Sequence, residues 1–249
     1  MFIKIVQTKH IIEVYEYEHL NVNPEFPDEK CDPGDSCNVI ENYAKRNQIR
    51  RDAIRRLAIE NFDTSDKFLT LTFRDNEAFD IKDVKQCNAE YEKFIKRLKR
   101  LIKKLHPALR LKYLAVIEFQ DKNDRGAVHY HVLLNIPYLP HEVIEKVWGL
   151  GFISVNRIDH VDNLGAYVIK YMTPNMDDPR LMGLKAYNCS TGLERPKVLK
   201  SWKVQNQQEL EALLATLPKE KVVYSAKYKT ENAGRIAYSQ VNLKRKLPK

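Results

Sequence analysis

The chain has 249 residues, 43% hydrophobic and 30% charged, a balance that suits a folded protein rather than a disordered one. Lys and Arg total 42 against 33 Asp and Glu, and the net charge of +9 favours a polyanionic partner such as nucleic acid. No apolar run approaches the length of a membrane span, so no membrane association is expected.

The start, MFIKIVQTKHIIEVYEYE, alternates and carries charge throughout. It lacks the apolar core of a secretory signal, so a cytoplasmic protein is expected. Four cysteines, Cys31, Cys37, Cys87 and Cys189, are too few in so long a chain for a disulfide-stapled domain, and they read as reduced thiols. Cys31 and Cys37 flank the turn DPGDS without the spacing of a metal knuckle. No G-x-x-x-x-G-K-[ST] occurs, which excludes nucleotide hydrolysis on a P-loop.

Taken in chain order, residues 2–18 alternate as one long strand or a hairpin, and residues 21–38, with Pro24, Pro27, Pro33 and Gly34, read as a loop. Residues 41–61 predict a helix with a basic side (Arg51, Arg55) and an apolar side (Ile54, Ala58). KFLTLTFR (67–74) is a strand with Leu69, Leu71 and Phe73 on one face and Thr70 and Thr72 on the other. A helix follows over about 83–105. Its apolar stripe runs from Tyr91 through Phe94, Leu98 and Ile102 to Leu105, and Lys93, Lys96, Arg97, Arg100, Lys103 and Lys104 cover its back as a solvated face or a DNA contact.

LKYLAVIEF (111–119) and AVHYHVLLN (127–135) predict an antiparallel hairpin, then come a short helix at 141–148, a strand at 151–158 and a helix at about 161–172 that stops before Thr173-Pro174. The order from Lys67 is β-α-β-β-α-β and then a helix. That is the split βαβ arrangement, an α+β fold with a central antiparallel sheet and helices on one face. A helix over 205–217 and a hairpin of 221–229 with 235–243 complete the chain. The expected organisation is residues 1–66 packed on the core, a core at 67–180, and 181–249 as an extension of the same domain.

Two constellations could carry chemistry. His129 and His131, two apart on a strand, share a face and can share one metal ion. Glu118, a carboxylate late in an otherwise apolar strand, lies opposite them if the two strands pair; Gln120 has the same parity and is a rival third ligand. Such N/O ligation suits Mn²⁺, and Mg²⁺ when phosphate oxygens complete the shell. The second constellation is Tyr167, Lys170 and Tyr171, neighbours on one helix face. A lysine beside a tyrosine favours the phenolate and can hold a phosphate, so the set can supply a nucleophile.

In this order, FLTLTF, then VHYHVLLN with upstream Glu118, then GAYVIKYM resemble the three motifs of the HUH-superfamily rolling-circle replication initiators, endonucleases of small plasmids and single-stranded DNA phages. The stretch WGLGFISVNRI with the following helix is similar to the same region of microviral phage initiators. The resemblance covers roughly Lys67 to Thr173. It implies an HUH-type nuclease core whose metal ligands are His129, His131 and Glu118. Tyr167 would be the nucleophile that takes the 5′ end of a nicked single strand, Lys170 would orient the phosphate or support the phenolate, and Thr70 and Thr72 would be scaffold.

The implied substrate is single-stranded or hairpin origin DNA, with unwinding left to a separate host helicase. Two-tyrosine phage initiators carry a lysine three residues after each tyrosine. Here Met172, Thr173 and Pro174 follow Tyr171, which leaves Tyr171 as either a second nucleophile or a helper. The alternatives are a transposase or conjugative relaxase of the same superfamily, or a non-catalytic nucleic-acid-binding module on a similar sheet. The last would carry the aromatic K/R-G-F/Y-G/A-F signature, which is absent. A structural zinc protein using Cys31, Cys37 and histidines is a further alternative.

Overall fold

The computed structural model describes residues 2–19, 36–75, 77–121, 125–158, 167–170, 178–185, 187–203, 208, 212, 215, 217–230 and 234–245, with side chains of the first helix described from 48 onward. It is an α+β chain with two antiparallel five-stranded sheets, consistent with an HUH endonuclease-like fold. Contacts divide it into two compact units, residues 36–194 and residues 1–35 with 195–249. The boundaries expected from the sequence were 66/67 and 180/181; the contacts fall instead at 35/36 and 194/195. The difference comes from pairing between chain ends, which local patterns do not carry.

The larger unit holds α1 (Ser36–Asn61), β3 (Lys67–Thr72), α2 (Val84–Leu105), β4 (Tyr113–Gln120), β5 (Ala127–Leu134), α3 (His141–Trp148), β6 (Ile153–Arg157) and β7 (Tyr187–Cys189). Its sheet runs β6-β3-β5-β4-β7. The first four strands have the order that the split βαβ reading requires: the hairpin β4–β5 places β5 between β4 and β3. α2 starts where Asp83 accepts hydrogen bonds from the backbone N–H groups of Lys85 (2.7 Å) and Gln86 (3.2 Å), satisfying two otherwise unpaired donors. Lys103 and Lys104 in its last turn complement the negative end of the helix dipole.

Strand alternation sorts the core into two faces. Leu69 and Leu71, Ala115 and Ile117, and Tyr130 and Val132 pack against α2 and α3. Phe68, Leu114, Val116 and Leu133 point the other way, where they meet Ile54, Leu57 and Ala58 of α1 together with Val168. Helices on one face were expected; α2 and α3 obey this, but α1 covers part of the second face. Phe68, Leu114 and Leu133 make one end of that face apolar and therefore worth burying, at about 1.5–3 kcal/mol for each large side chain.

The entry to β6 is tight. Trp148, 1% exposed, donates from Nε1 to the Thr72 carbonyl at 2.8 Å, and the Arg74 N–H donates to the Leu150 carbonyl at 2.8 Å. A Cβ on Gly151 would collide with the Thr72 carbonyl oxygen and lie 2.7 Å from the Arg74 nitrogen, so only glycine lets this loop lie against the end of β3.

The second unit holds β1 (Phe2–Gln7), β2 (Ile11–Tyr17), β8 (Lys197–Lys203), β9 (Val222–Thr230) and β10 (Gly234–Asn242), in the order β8-β1-β2-β10-β9. The expected N-terminal hairpin is β1–β2 and the expected C-terminal hairpin is β9–β10; both belong to this one sheet, because β10 pairs with β2. The predicted helix over 205–217 lies largely outside the described residues, as does the loop reading of 21–38 up to residue 35. Cys87 and Cys189 are free thiols. Among the described residues no helix is long and apolar enough to cross a membrane.

Two tests follow from this packing. Gly151→Ala should destabilise the larger unit by about 1–3 kcal/mol, the range for overpacking, read as a lower urea midpoint; an unchanged midpoint would mean the loop has room. In the smaller unit His10, 8% exposed, has its pKa lowered from 6.5 to about 4 by burial and then by Lys244 and Lys9. The folded state therefore refuses a proton that the unfolded chain takes up. Stability should fall as pH drops from 6.5 towards about 4, by up to about 3 kcal/mol. His10→Gln should flatten that slope in pH-dependent unfolding.

Candidate active site

The second face of the larger sheet turns polar towards one end. The register sets Thr72 opposite His129 and His129 opposite Glu118, with Thr70 opposite His131 in the next row. Alternation puts all five side chains on that face, as the strand parity predicted. Here they have little water: His131 is 4% exposed, His129 9%, and the Glu118 side chain 32%.

His131 is held at both ring nitrogens. Nδ1 lies 3.1 Å from Thr70 Oγ1 and Nε2 lies 2.5 Å from Glu118 Oε2. With Glu118 ionised and the imidazole neutral, Nε2–H donates to the carboxylate and Nδ1 accepts from the Thr70 hydroxyl. His129 differs. Its Nε2 is buried and has no hydrogen-bond partner, and its pKa falls from 6.5 to about 4 through burial first and then the nearby His131 and Arg125, partly offset by Glu118. A neutral imidazole with an orphaned nitrogen is a metal ligand in waiting, since a buried polar atom without a partner is costly.

The donor set of His129, His131 and Glu118 fits a divalent ion by this orphaned atom and by its mixed N/O chemistry. As they stand, Glu118 and His131 satisfy each other, and among the described residues no group of three His, Cys, Asp or Glu side chains is gathered as a finished cation centre. Gln120, the rival ligand, accepts from Arg125 Nη1 at 2.9 Å, and Arg125 Nη2 also donates to the Phe73 carbonyl at 2.7 Å. That bond engages the oxygen Gln120 would offer an ion.

Tyr167 lies in the helical stretch 167–170 and is half-buried on the same face as the histidines. Its ring meets Phe68 edge-on, with centroids 5.2 Å apart at 76°, and Phe68 stacks on His131 at 5.6 Å and 13°. One phenylalanine thus separates the two constellations. Val168 is buried at 2% and anchors the helix in the core, while Lys170 is exposed. Tyr171 lies outside the described residues.

Sequence reasoning passed over Phe68, Arg125 and Phe152. Phe68 shares the parity of Thr70 and Thr72, so its place on this face was legible in KFLTLTFR. Arg125 sits in a turn, and no local pattern points it at Gln120. Phe152, 65% exposed, directly precedes buried Ile153, and its carbonyl accepts from Thr72 N at 3.0 Å and Thr72 Oγ1 at 2.8 Å.

The charges are also divided by face. α2 packs on the side away from the histidines, so its exposed Lys96, Arg100, Lys103 and Lys104 line the far side of the unit. Arg97 of the same helix donates to the carbonyls of Val147 (2.9 Å) and Trp148 (3.1 Å), capping the end of α3. α1, with Arg50, Arg51, Arg55 and Arg56, packs on the histidine side.

The sheet order and the paired histidines define an α+β core of the kind found in HUH nucleases. Residues 66–176 match the replication-associated protein family of the ORF2 type, a match consistent with a rolling-circle replication initiator. No curated protein and no solved structure gave a match to the chain.

If the histidines are ligands, His129→Ala should weaken Mn²⁺ binding by well over tenfold in calorimetric titration. Thr70→Val, which removes the hydroxyl behind His131, should weaken it by about 10–100-fold. Wild-type affinity in both variants would remove the ion from this face.

Proposed function

We propose that the larger unit is a metal-dependent endonuclease that nicks and rejoins single-stranded DNA at a replication origin, through a phosphotyrosine at Tyr167. The observation that carries this reading is the desolvated, unpartnered Nε2 of His129 on the same sheet face as Tyr167. The match of residues 66–176 to a replication-associated family supports the biology.

His129, His131 and Glu118 would hold a divalent ion, Mn²⁺ or Mg²⁺, which when bound supplies positive charge to a phosphate oxygen. His129 enters this role already neutral, so no proton has to leave it near pH 7. Thr70 keeps the ring of His131 oriented through Nδ1, the support that metal-bound histidines require. Phe68 fixes the phenol of Tyr167 relative to the His131 ring, which restricts the direction of attack.

Tyr167 Oη forms the bond to phosphorus, the P–O3′ bond breaks, and the 3′ oxygen leaves as a hydroxyl while the phenol proton passes to solvent. Lys170, exposed one turn along, offers an ammonium to the phosphate and favours the phenolate. Return attack by a 3′ hydroxyl on the phosphotyrosine rejoins the strand. Tyr171 would serve as a second nucleophile or a helper. The cations of α1 on the histidine side would hold the DNA backbone, and the exposed ring of Phe152 would stack on a base beside the scissile phosphate. The DNA would be unwound by a separate helicase.

The test uses a labelled single-stranded oligonucleotide with Mn²⁺. The wild-type chain should form a covalent adduct, and chelator or the His129→Ala/His131→Ala pair should abolish it while leaving most DNA affinity. Tyr167→Phe should remove the adduct because only the hydroxyl is lost. Full adduct formation in chelator would contradict the metal role, and wild-type yield from Tyr167→Phe would move the nucleophile elsewhere. DNA affinity should fall steeply with salt, as counterion release requires.

A further inference from the structure

The smaller unit carries a feature that the nuclease reading does not use. Five of the chain's 13 tyrosines stand on one face of its sheet. The register aligns Tyr17 and Tyr228 on either side of Ile236, and it aligns Tyr15 with Tyr238 and Tyr224 with Gln240. The rings form a continuous path across three strands: Tyr17 to Tyr15 at 6.1 Å, Tyr15 to Tyr238 at 4.8 Å, and Tyr238 to Tyr224 at 5.9 Å. At the outer strand Tyr224 is 55% exposed and Tyr228 46%.

The electrostatics of this region favour an anion that also has flat rings. β9, the outermost strand, reads VVYSAKYKT and holds no acid. Its Lys227 and Lys229 alternate with the tyrosines and so project from the other side of the strand, where a phosphate backbone running along the open edge would meet them. Lys4 lies opposite Tyr15 on the tyrosine face itself. The acid on that face, Glu13, is 1% exposed and accepts from the hydroxyls of Tyr238 at 2.7 Å and Tyr15 at 3.3 Å, so its charge is withdrawn from the surface. Beside it Gln240, 7% exposed, has a buried Nε2 with no partner, a donor left over in a face that is otherwise aromatic. Aliphatic partners gain nothing from cations set beside phenols. Nucleobases stack on such rings whatever their identity, and phosphates pair with the lysines.

We infer that the tyrosine face of β2, β10 and β9 is a second binding site, which holds single-stranded DNA by base stacking without reading its sequence. The choice of DNA over RNA rests on the nuclease reading; the stacking site does not. Through this face the protein would retain the displaced strand during nicking and rejoining.

The experiment is fluorescence anisotropy of the full chain with a labelled oligothymidylate. Two paired variants at exposed positions are compared with wild type, and folding is checked by circular dichroism. Tyr224→Ala/Tyr228→Ala should weaken binding by at least about tenfold, the lower end for losing one stacked base. Tyr224→Phe/Tyr228→Phe keeps the rings and should bind as wild type does. Unchanged affinity in the alanine pair, or an equal loss in the phenylalanine pair, would overturn the stacking site. Covalent adduct at Tyr167 is scored in the same samples. Adduct formation with alanine-insensitive binding removes the platform alone, and alanine-sensitive binding without adduct removes the nuclease reading alone.

Discussion

Register among β3, β5 and β4 governs what the larger sheet can do. A slip of one residue in β5 would turn His129 and His131 into the apolar layer under α2 and bring Tyr130, now 0% exposed, out to the polar face. The apolar side chains on both faces prevent that slip. Val128, Tyr130 and Val132 need the layer beneath α2, and Leu133 needs Phe68 and Leu114 on the other side. The same packing dries the histidine end of the sheet, and the drying keeps His129 neutral with one nitrogen unpaired. Stability and chemistry are thus two results of one alternating pattern.

The division of charge by face narrows how a polyanion could approach. The cations of α2 are the most conspicuous basic run in the sequence, yet that helix lies under the sheet on the side away from the histidines. A strand bound along it would not reach His129. α1 has fewer apolar positions and is partly sunk in the second face, which puts its arginines on the histidine side. The bulk charge of +9 says little by itself; which face each helix buries decides where that charge acts.

Much of this was legible because the signals are local. Period-two alternation in KFLTLTFR and AVHYHVLLN fixed both the strands and their faces, and the QDKNDRG turn fixed the β4–β5 register that sets Glu118 opposite His129. The stripe of Tyr91, Phe94, Leu98 and Ile102 fixed α2. What depends on distant pairing was not legible. β10 joins β2 across more than 200 residues, so the sheet uniting both ends of the chain, and with it the tyrosine face, left no trace in any short window. Arg125 on Gln120 and Phe68 between Tyr167 and His131 are likewise contacts between elements, for which sequence supplies the residue types but not the meeting.

The central claim is that the phenol of Tyr167 and the imidazoles of His129 and His131 serve one phosphate. Tandem mass spectrometry of the proteolysed protein after reaction with single-stranded DNA tests it most directly, because it names the atom's owner. The account predicts a nucleotide on the peptide containing Tyr167, formed only when a divalent ion is present. A nucleotide attached to a tyrosine of the other unit, or an adduct at Tyr167 that forms equally well in chelator, would contradict it.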